Sequence, residues 1–352
     1  MKDKKTVLTV SPFKESSQEG QKSLSLCSAL HKQRNLYCIH KHYSPLDASS
    51  INESIYIQNS FDHGEYDVCV QNINPAFIVK VDQPTLAFYE PQTENQRSYN
   101  AQLSLPDFLA VRSQVQKSVL PEEVRDKAFV ISPTVWMHNR AELLRSAIGD
   151  FIFYVPFLGQ TSNMDKIISA YFYAFSKADP VRLAFITQDQ EVFNSKFLPE
   201  MKRRLRTHSK DSYPPILTYS NVDQMHNEGH CCIDVCSSYE VQFQTLVAFR
   251  NCNPAIIMEG SSLDEWCPDG FAYRSPSYSD LVNHESPQAL ELYSGRESTI
   301  FPSAIGLART MRKAFEDRWG FRKMQKCVTL EAPTVFGDKS LIKTIGEVPC
   351  FQ

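Results

Sequence analysis

The chain lacks any long apolar run. No stretch approaches the roughly 18 consecutive apolar residues of a membrane-spanning helix, so none is predicted. Glycine is sparse, 12 of 352 residues. None of it forms a Gly-rich phosphate loop of the P-loop or dinucleotide type, and there is no nucleophile elbow. An excess of one charge is also missing. The 37 Lys and Arg against 40 Asp and Glu leave a formal net charge of -3, so nothing global draws the chain to nucleic acid or to an anionic membrane. The first residues, MKDKKTVLTV, carry charge and then only a short apolar run, and no small-residue cleavage site follows. They do not read as a signal peptide. The ten cysteines form no paired Cys-x2-Cys arrangement. Several sit in apolar runs, such as Cys38 and Cys69, and read as reduced, buried thiols in a soluble cytoplasmic protein.

What is present suits a globular α/β protein. Hydrophobic residues make up 42% and charged residues 22%, enough for real cores in two domains of ordinary size. Short β-rich runs at 6–10, 36–39, 66–70, 85–89, 108–111 and 128–131 alternate with helical stretches, and 44–60 reads as a polar surface excursion. A second cycle starts at Asp150, with β runs at 151–155, 181–186, 214–217, 231–235 and 255–258. Its first helix places Met164, Ile167, Ile168, Tyr171, Phe172 and Phe175 on one face, and another is expected at about 241–251. Such alternation predicts parallel sheets flanked by helices. We expect two Rossmann-like domains, 1–145 and 146–325, facing each other across a cleft. A helix over 304–317 precedes an irregular tail, and 326–352 is expected to cross back to the first domain. In such folds ligands bind where strand C-termini meet helix N-termini.

Four segments at those edges carry a resemblance: TLAFYE (85–90), the passage FLAVRS…VISPT (108–134), FIFYVPFLGQTSN…LAFIT (151–187), and 231–258, which opens CCIDVCSSYE. In order and spacing they resemble glycosyltransferase family 4, a retaining group with the GT-B fold. The resemblance implies transfer of a sugar from a nucleotide-sugar co-substrate to a saccharide or other hydroxyl acceptor, without a bound metal or other cofactor. Glu240 matches the first glutamate of the family's Glu-x7-Glu signature, and Glu90 is the candidate acceptor-side carboxylate or base. Donor phosphates would meet Gln160, Thr161, Ser162, Asn163 and Lys166 in one loop and Ser238, Tyr239, Val241, Gln242 and Phe243 in the other. The nucleotide would lie along Thr187, Gln188, Tyr219, Ser220 and Asn221. The sequence also departs from the family pattern. The usual donor-loop Arg and Lys fall near Phe157 and Ser162. The second glutamate, which holds the ribose hydroxyls in the family, falls at Val247 because this block is one residue shorter than the signature (unshortened spacing would reach Ala248). Gly-Phe-Gly is replaced by Val241-Gln242-Phe243.

The required chemistry is consistent with these positions. Glycosyl transfer develops positive charge on the sugar and negative charge on the leaving phosphate. A helix N-terminus holds the phosphate through free N–H groups, and a carboxylate orients the sugar hydroxyls. Other constellations read more plainly. His226, His230, Cys231, Cys232 and Cys236 are crowded, but adjacent strand cysteines point to opposite faces, so packing is preferred to zinc. The basic run 202–206, with Arg318, Arg322, Lys323 and Lys326, reads as solvated helix surface rather than a polyanion site. Trp136, Trp266 and Trp319 are expected in core or hinge packing. Three alternatives stay open: transfer to hydroxymethylated bases of DNA, an unusual donor that does not need the ribose glutamate, and a non-catalytic binding or scaffold protein of the same fold.

Overall fold

The computed structural model describes residues 5–13, 18–40, 56–58, 66–91, 93, 99–135, 149–156, 163–187, 189–204, 213–236, 239–281 and 297–352. The strands of the first half are β1 (Thr6–Ser11), β2 (Asn35–His40), β3 (Tyr56–Gln58), β4 (Val68–Gln71), β5 (Thr85–Phe88), β6 (Phe108–Val111) and β7 (Ala128–Val130). They form one parallel sheet in the order β3-β2-β1-β4-β5-β6-β7. β8 (Phe151–Val155), β9 (Val181–Ile186), β10 (Ile216–Tyr219), β11 (Cys231–Asp234), β12 (Ala255–Met258) and β13 (Ala272–Ser275) form a second parallel sheet, β10-β9-β8-β11-β12-β13. β14 (Ser277–Leu281) and β15 (Ser298–Pro302) make an antiparallel pair that the sequence pattern did not reveal.

The first half contributes helices α1 (Gln18–His31), α2 (Asn100–Leu103), α3 (Gln114–Ser118) and α4 (Glu122–Arg125). The second adds α5 (Met164–Ala174), α6 (Gln190–Val192), α7 (Leu198–Arg204), α8 (Val222–Glu228), α9 (Phe243–Arg250) and α10 (Ser262–Trp266). α11 (Ala304–Glu316), α12 (Arg318–Val335) and α13 (Asp338–Ile345) follow.

Both sheets are buried on both faces, which is why their strands are apolar throughout rather than alternating. In the first, Val7, Val68, Leu86 and Ala110 pack under α1 through Leu26 and Leu30. Ala87 and Leu109 face Leu103, Leu120 and Val124 on the other side. In the second, Phe153, Leu183 and Ile233 meet Ile167, Tyr171, Leu307 and Met311. Tyr154, Ala184 and Ile257 meet Leu246, Phe249 and Leu263. Strand order reverses at β1/β4 and at β8/β11, the two places where such sheets open a crevice for ligands.

The structure differs from the sequence reading in particular places. The strand expected from Pro214 starts at Ile216, because Pro214 and Pro215 lack the N–H a ladder needs. Most of the 44–60 excursion lies outside the described residues, although Tyr56–Gln58 pairs with β2. The tail after 317 is helical, not irregular. Asp317 accepts the Gly320 N–H to cap α12, and Pro333 falls in its last turn. Gly337 follows because a Cβ there would collide with the Pro333 carbonyl oxygen. α13 then lays Leu341 and Ile345, with Val348 and Phe351 beyond it, into the core of the first sheet. Trp319 is 80% exposed rather than packed. Trp266 lies between the halves and donates to the Arg112 carbonyl, and Trp136 lies outside the described residues.

Candidate functional site

Where the C-terminal edges of the two sheets meet, four charged side chains converge. Glu90 follows β5, Arg112 follows β6, Lys22 projects from α1, and Glu240 precedes α9. Lys22 Nζ lies 2.8 Å from Glu240 Oε1 and 3.4 Å from Glu90 Oε1. Arg112 Nε lies 3.6 Å from Glu90 Oε1, and its guanidinium sits over the Phe88 ring at 4.5 Å. Glu90 Oε2 accepts the backbone N–H of Val241 at 3.0 Å. A first-half carboxylate therefore occupies an N–H just ahead of a second-half helix.

The cluster is mostly withdrawn from water. Side-chain exposure is 16% for Lys22 and Glu90, 6% for Arg112 and 26% for Glu240. Burial alone depresses the Lys22 ammonium, but attraction to Glu240 and then Glu90 outweighs it and leaves the pKa above the ordinary lysine value. Burial raises Glu90, yet Lys22, Arg112 and the Val241 N–H together hold it below the usual carboxylate range. Behind the cluster, burial pushes Asp234, at the end of β11, up to about 7. The Thr245 hydroxyl donates to it at 2.8 Å.

A hydrogen-bonded clasp closes the edge beside the ions. Gln116 Nε2 and Ser262 Oγ both donate to the Tyr239 carbonyl, at 2.7 and 2.5 Å. Ser113 Oγ donates to Ser262 Oγ, and the Gln114 N–H donates to Glu265. Ser113 also caps α3, so one short helix start anchors both its own half and the other.

The remaining candidates separate. Val241 and Phe243 are buried in the core around α9, Tyr239 is buried with its carbonyl in the clasp, and Gln242 is buried at the N-cap of α9. Asn163 adopts left-handed backbone (φ 51°) and donates to the Val235 carbonyl at 2.6 Å, tying the start of α5 to the end of β11. Lys166 is drawn to the β14/β15 pair, donating to the Tyr278 hydroxyl and covering Phe301, away from the ion cluster. Thr187 pairs with the carbonyls of Asp189 and Tyr219. Tyr219 donates to Glu228, Asn221 caps α8, and Ser220 is exposed. Gln160, Thr161, Ser162, Gln188 and Ser238 lie outside the described residues.

Val247 is 3% exposed and Ala248 fully buried, so neither position presents a group to the cleft. His226 lies within hydrogen-bond distance of Tyr154 and Gln244, and His230 accepts the Ile152 N–H. All ten cysteines are free thiols.

Sequence reasoning missed Lys22 and Arg112. Lys22 carried a signal, since it shares a helical face with Leu26, Ala29 and Leu30, all buried. A lone cation on an apolar stripe needs a buried partner. Arg112 directly follows the apolar strand FLAV, and its 5% exposure makes the same demand.

No protein-family model matches the chain, and no curated protein matches it. Solved structures do. The Anabaena protein Alr3699/HepE in complex with UDP superposes with a TM-score of 0.62 at 12% identity, over 97% of this chain and 98% of that one. A glycosyltransferase from Rickettsia africae gives 0.64 at 12% identity, over 98% and 97%. Sucrose-phosphate synthase from Thermosynechococcus elongatus gives 0.61 at 11% identity, over 98% of each. The likeness is one of fold and extends over nearly the whole chain: two Rossmann-like sheets in the GT-B arrangement.

Proposed function

We propose that this chain is a glycosyltransferase that moves a sugar from a nucleotide-sugar donor to a hydroxyl acceptor, with retention. The observation that carries the reading is the Lys22–Glu90–Glu240 cluster at the facing sheet edges, beside the start of α9. HepE, of the same fold, binds UDP and UDP-glucose, which supports a uridine nucleotide sugar as the first donor to try.

In this reading the N–H groups ahead of α9 receive the donor phosphate once Glu90 releases Val241. Lys22, from the opposite half, supplies the cation that the donor loop lacks, and a charge-assisted contact is about twice as strong as a neutral one. Glu240 orients the sugar hydroxyls. Glu90, held ionised by its neighbours, acts as a fixed negative charge near the developing oxocarbenium ion. A depressed pKa makes a poor proton acceptor, so a positioning role suits it better than that of general base. Thr187 and Ser220, with Asn221, flank the nucleotide, and no cofactor is invoked.

A thermal-shift series with nucleotides and nucleotide sugars tests the binding half. A donor at about 100 times its Kd adds about 2.7 kcal/mol and raises Tm by a few degrees. If no nucleotide or nucleotide sugar moves Tm or is hydrolysed, the scaffold reading replaces this one. With a donor in hand, Glu240→Gln is expected to keep the fold and donor binding and to lower turnover roughly tenfold or more, because its charge matters most as the sugar becomes cationic.

A further inference from the structure

The outer face of α12 carries a pattern that the donor site does not use. Trp319 is 80% and Leu330 66% exposed, and Arg322, Lys323 and Lys326 between them are exposed as well. At 100° per residue these five side chains fall within an arc of about 100°, with Trp319 and Leu330 about 16 Å apart along the axis. Among the described residues, none of the three cations has an ion-pair partner. Arg318, packed over Phe151 and Phe315, adds a further positive charge beside Arg322.

Two acids at the start of this helix are engaged elsewhere. Glu316 is paired to Arg312, and Asp317 accepts from Gly320 to cap the helix. On α11, Ile305, Arg309 and Lys313 repeat at four-residue spacing and are exposed too. The opposite face of α12 is already used: Phe321, Val328 and Ala332 are buried in the two cores of the second sheet. Among the described residues, nothing covers the outer stripe. A chain with a net charge of -3 concentrates unpaired cations here, bracketed by an indole and a leucine.

We propose that this face of α12 docks on an anionic lipid surface. Cations alone would fit any polyanion, but the two apolar ends select a bilayer. The indole sits at headgroup depth, Leu330 enters the acyl boundary, and the lysines and arginine meet anionic headgroups. Only the exposed stripe takes part, so the contact is peripheral, reversible and weakened by salt. This proposal is independent of the donor chemistry.

The test is co-sedimentation of the full chain with phosphatidylcholine vesicles, with and without phosphatidylserine. Binding is expected to the anionic vesicles only and to fall as salt rises. Lys323→Glu with Lys326→Glu should lower it by roughly tenfold or more. Trp319→Ala with Leu330→Ser should lower it as well while leaving binding to heparin unchanged. All four positions lie on the outer face, so Tm should hold in every variant and separates lost docking from lost folding. Absence of binding to anionic vesicles overturns the proposal. Vesicle binding that survives loss of Trp319 and Leu330, with equal binding to heparin or duplex DNA, assigns the face to a nucleic acid or other polyanion instead.

Discussion

Lys22 is the side chain on which the charged cluster turns. Its ammonium lies between Glu240 and Glu90, and removing one partner of a fully buried pair costs about 3–5 kcal/mol. Here the residue is 16% exposed, and Glu90 keeps Arg112 and the Val241 N–H. We therefore expect Lys22→Met to cost about 1–3 kcal/mol near neutral pH, read from urea melts. The pH dependence has a definite sign. Glu90 is depressed in the folded state, so its stabilisation is present above the ordinary carboxylate pKa and is lost as pH falls through the folded value. In Lys22→Met that depression shrinks, and the variant should lose less stability than the parent between about pH 6 and pH 3. Lys22 itself is raised, so its own contribution is complete at neutral pH and declines only in strong alkali. Parallel acid profiles for parent and variant would refute the assignment.

At the scale of the element, α9 shows how a sequence signature and a buried helix part company. Glu240 was legible because the segment opening CCIDVCSSYE resembles the family's signature block and places it at the first glutamate. The position expected to carry the ribose carboxylate is Val247, and it faces the core with Phe249 and Phe336. With Val247 and Ala248 both buried, this helix has no exposed place for a second glutamate at either spacing. Val247→Glu should thus not restore a donor contact. It would bury a charge without a partner, cost at least about 3 kcal/mol, and show a lower urea midpoint with no gain in nucleotide affinity. A gain in affinity with unchanged stability would mean that this face of α9 reaches the cleft. α12 gives the opposite case. Its apolar positions Phe321, Val328 and Ala332 recur at helical spacing, but Gly320 and Pro333 obscured them. Each breaker is accommodated, one in the capped first turn and one in the last.

The whole molecule is tied together by segments far apart in sequence. α13 packs Leu341, fully buried, and Ile345 against Val7, Leu26 and Val68, so the last residues of the chain complete the core of its first sheet. Leu341→Ala should cost roughly 2–4 kcal/mol. Amides of β1 and β4 should lose hydrogen-exchange protection before those of β8 and β11, and equal loss in both sheets would argue against this local coupling. The alternation of apolar runs with helical periods determined two parallel sheets and most strand positions, because burial on both faces leaves its record in every residue of a strand. It also located the strand ends where open sheets bind ligands, and the resemblance to glycosyltransferase family 4 singled out Glu90 and Glu240 there. The tertiary structure alone decided that these two carboxylates share Lys22, that Glu90 holds the Val241 N–H, and that Lys166 turns away to Tyr278. Those contacts join residues 68 to 218 positions apart, and local patterning holds no information about such pairs. The distance between two side chains on facing sheets is set by how the halves pack, not by the spacing of either residue within its own element.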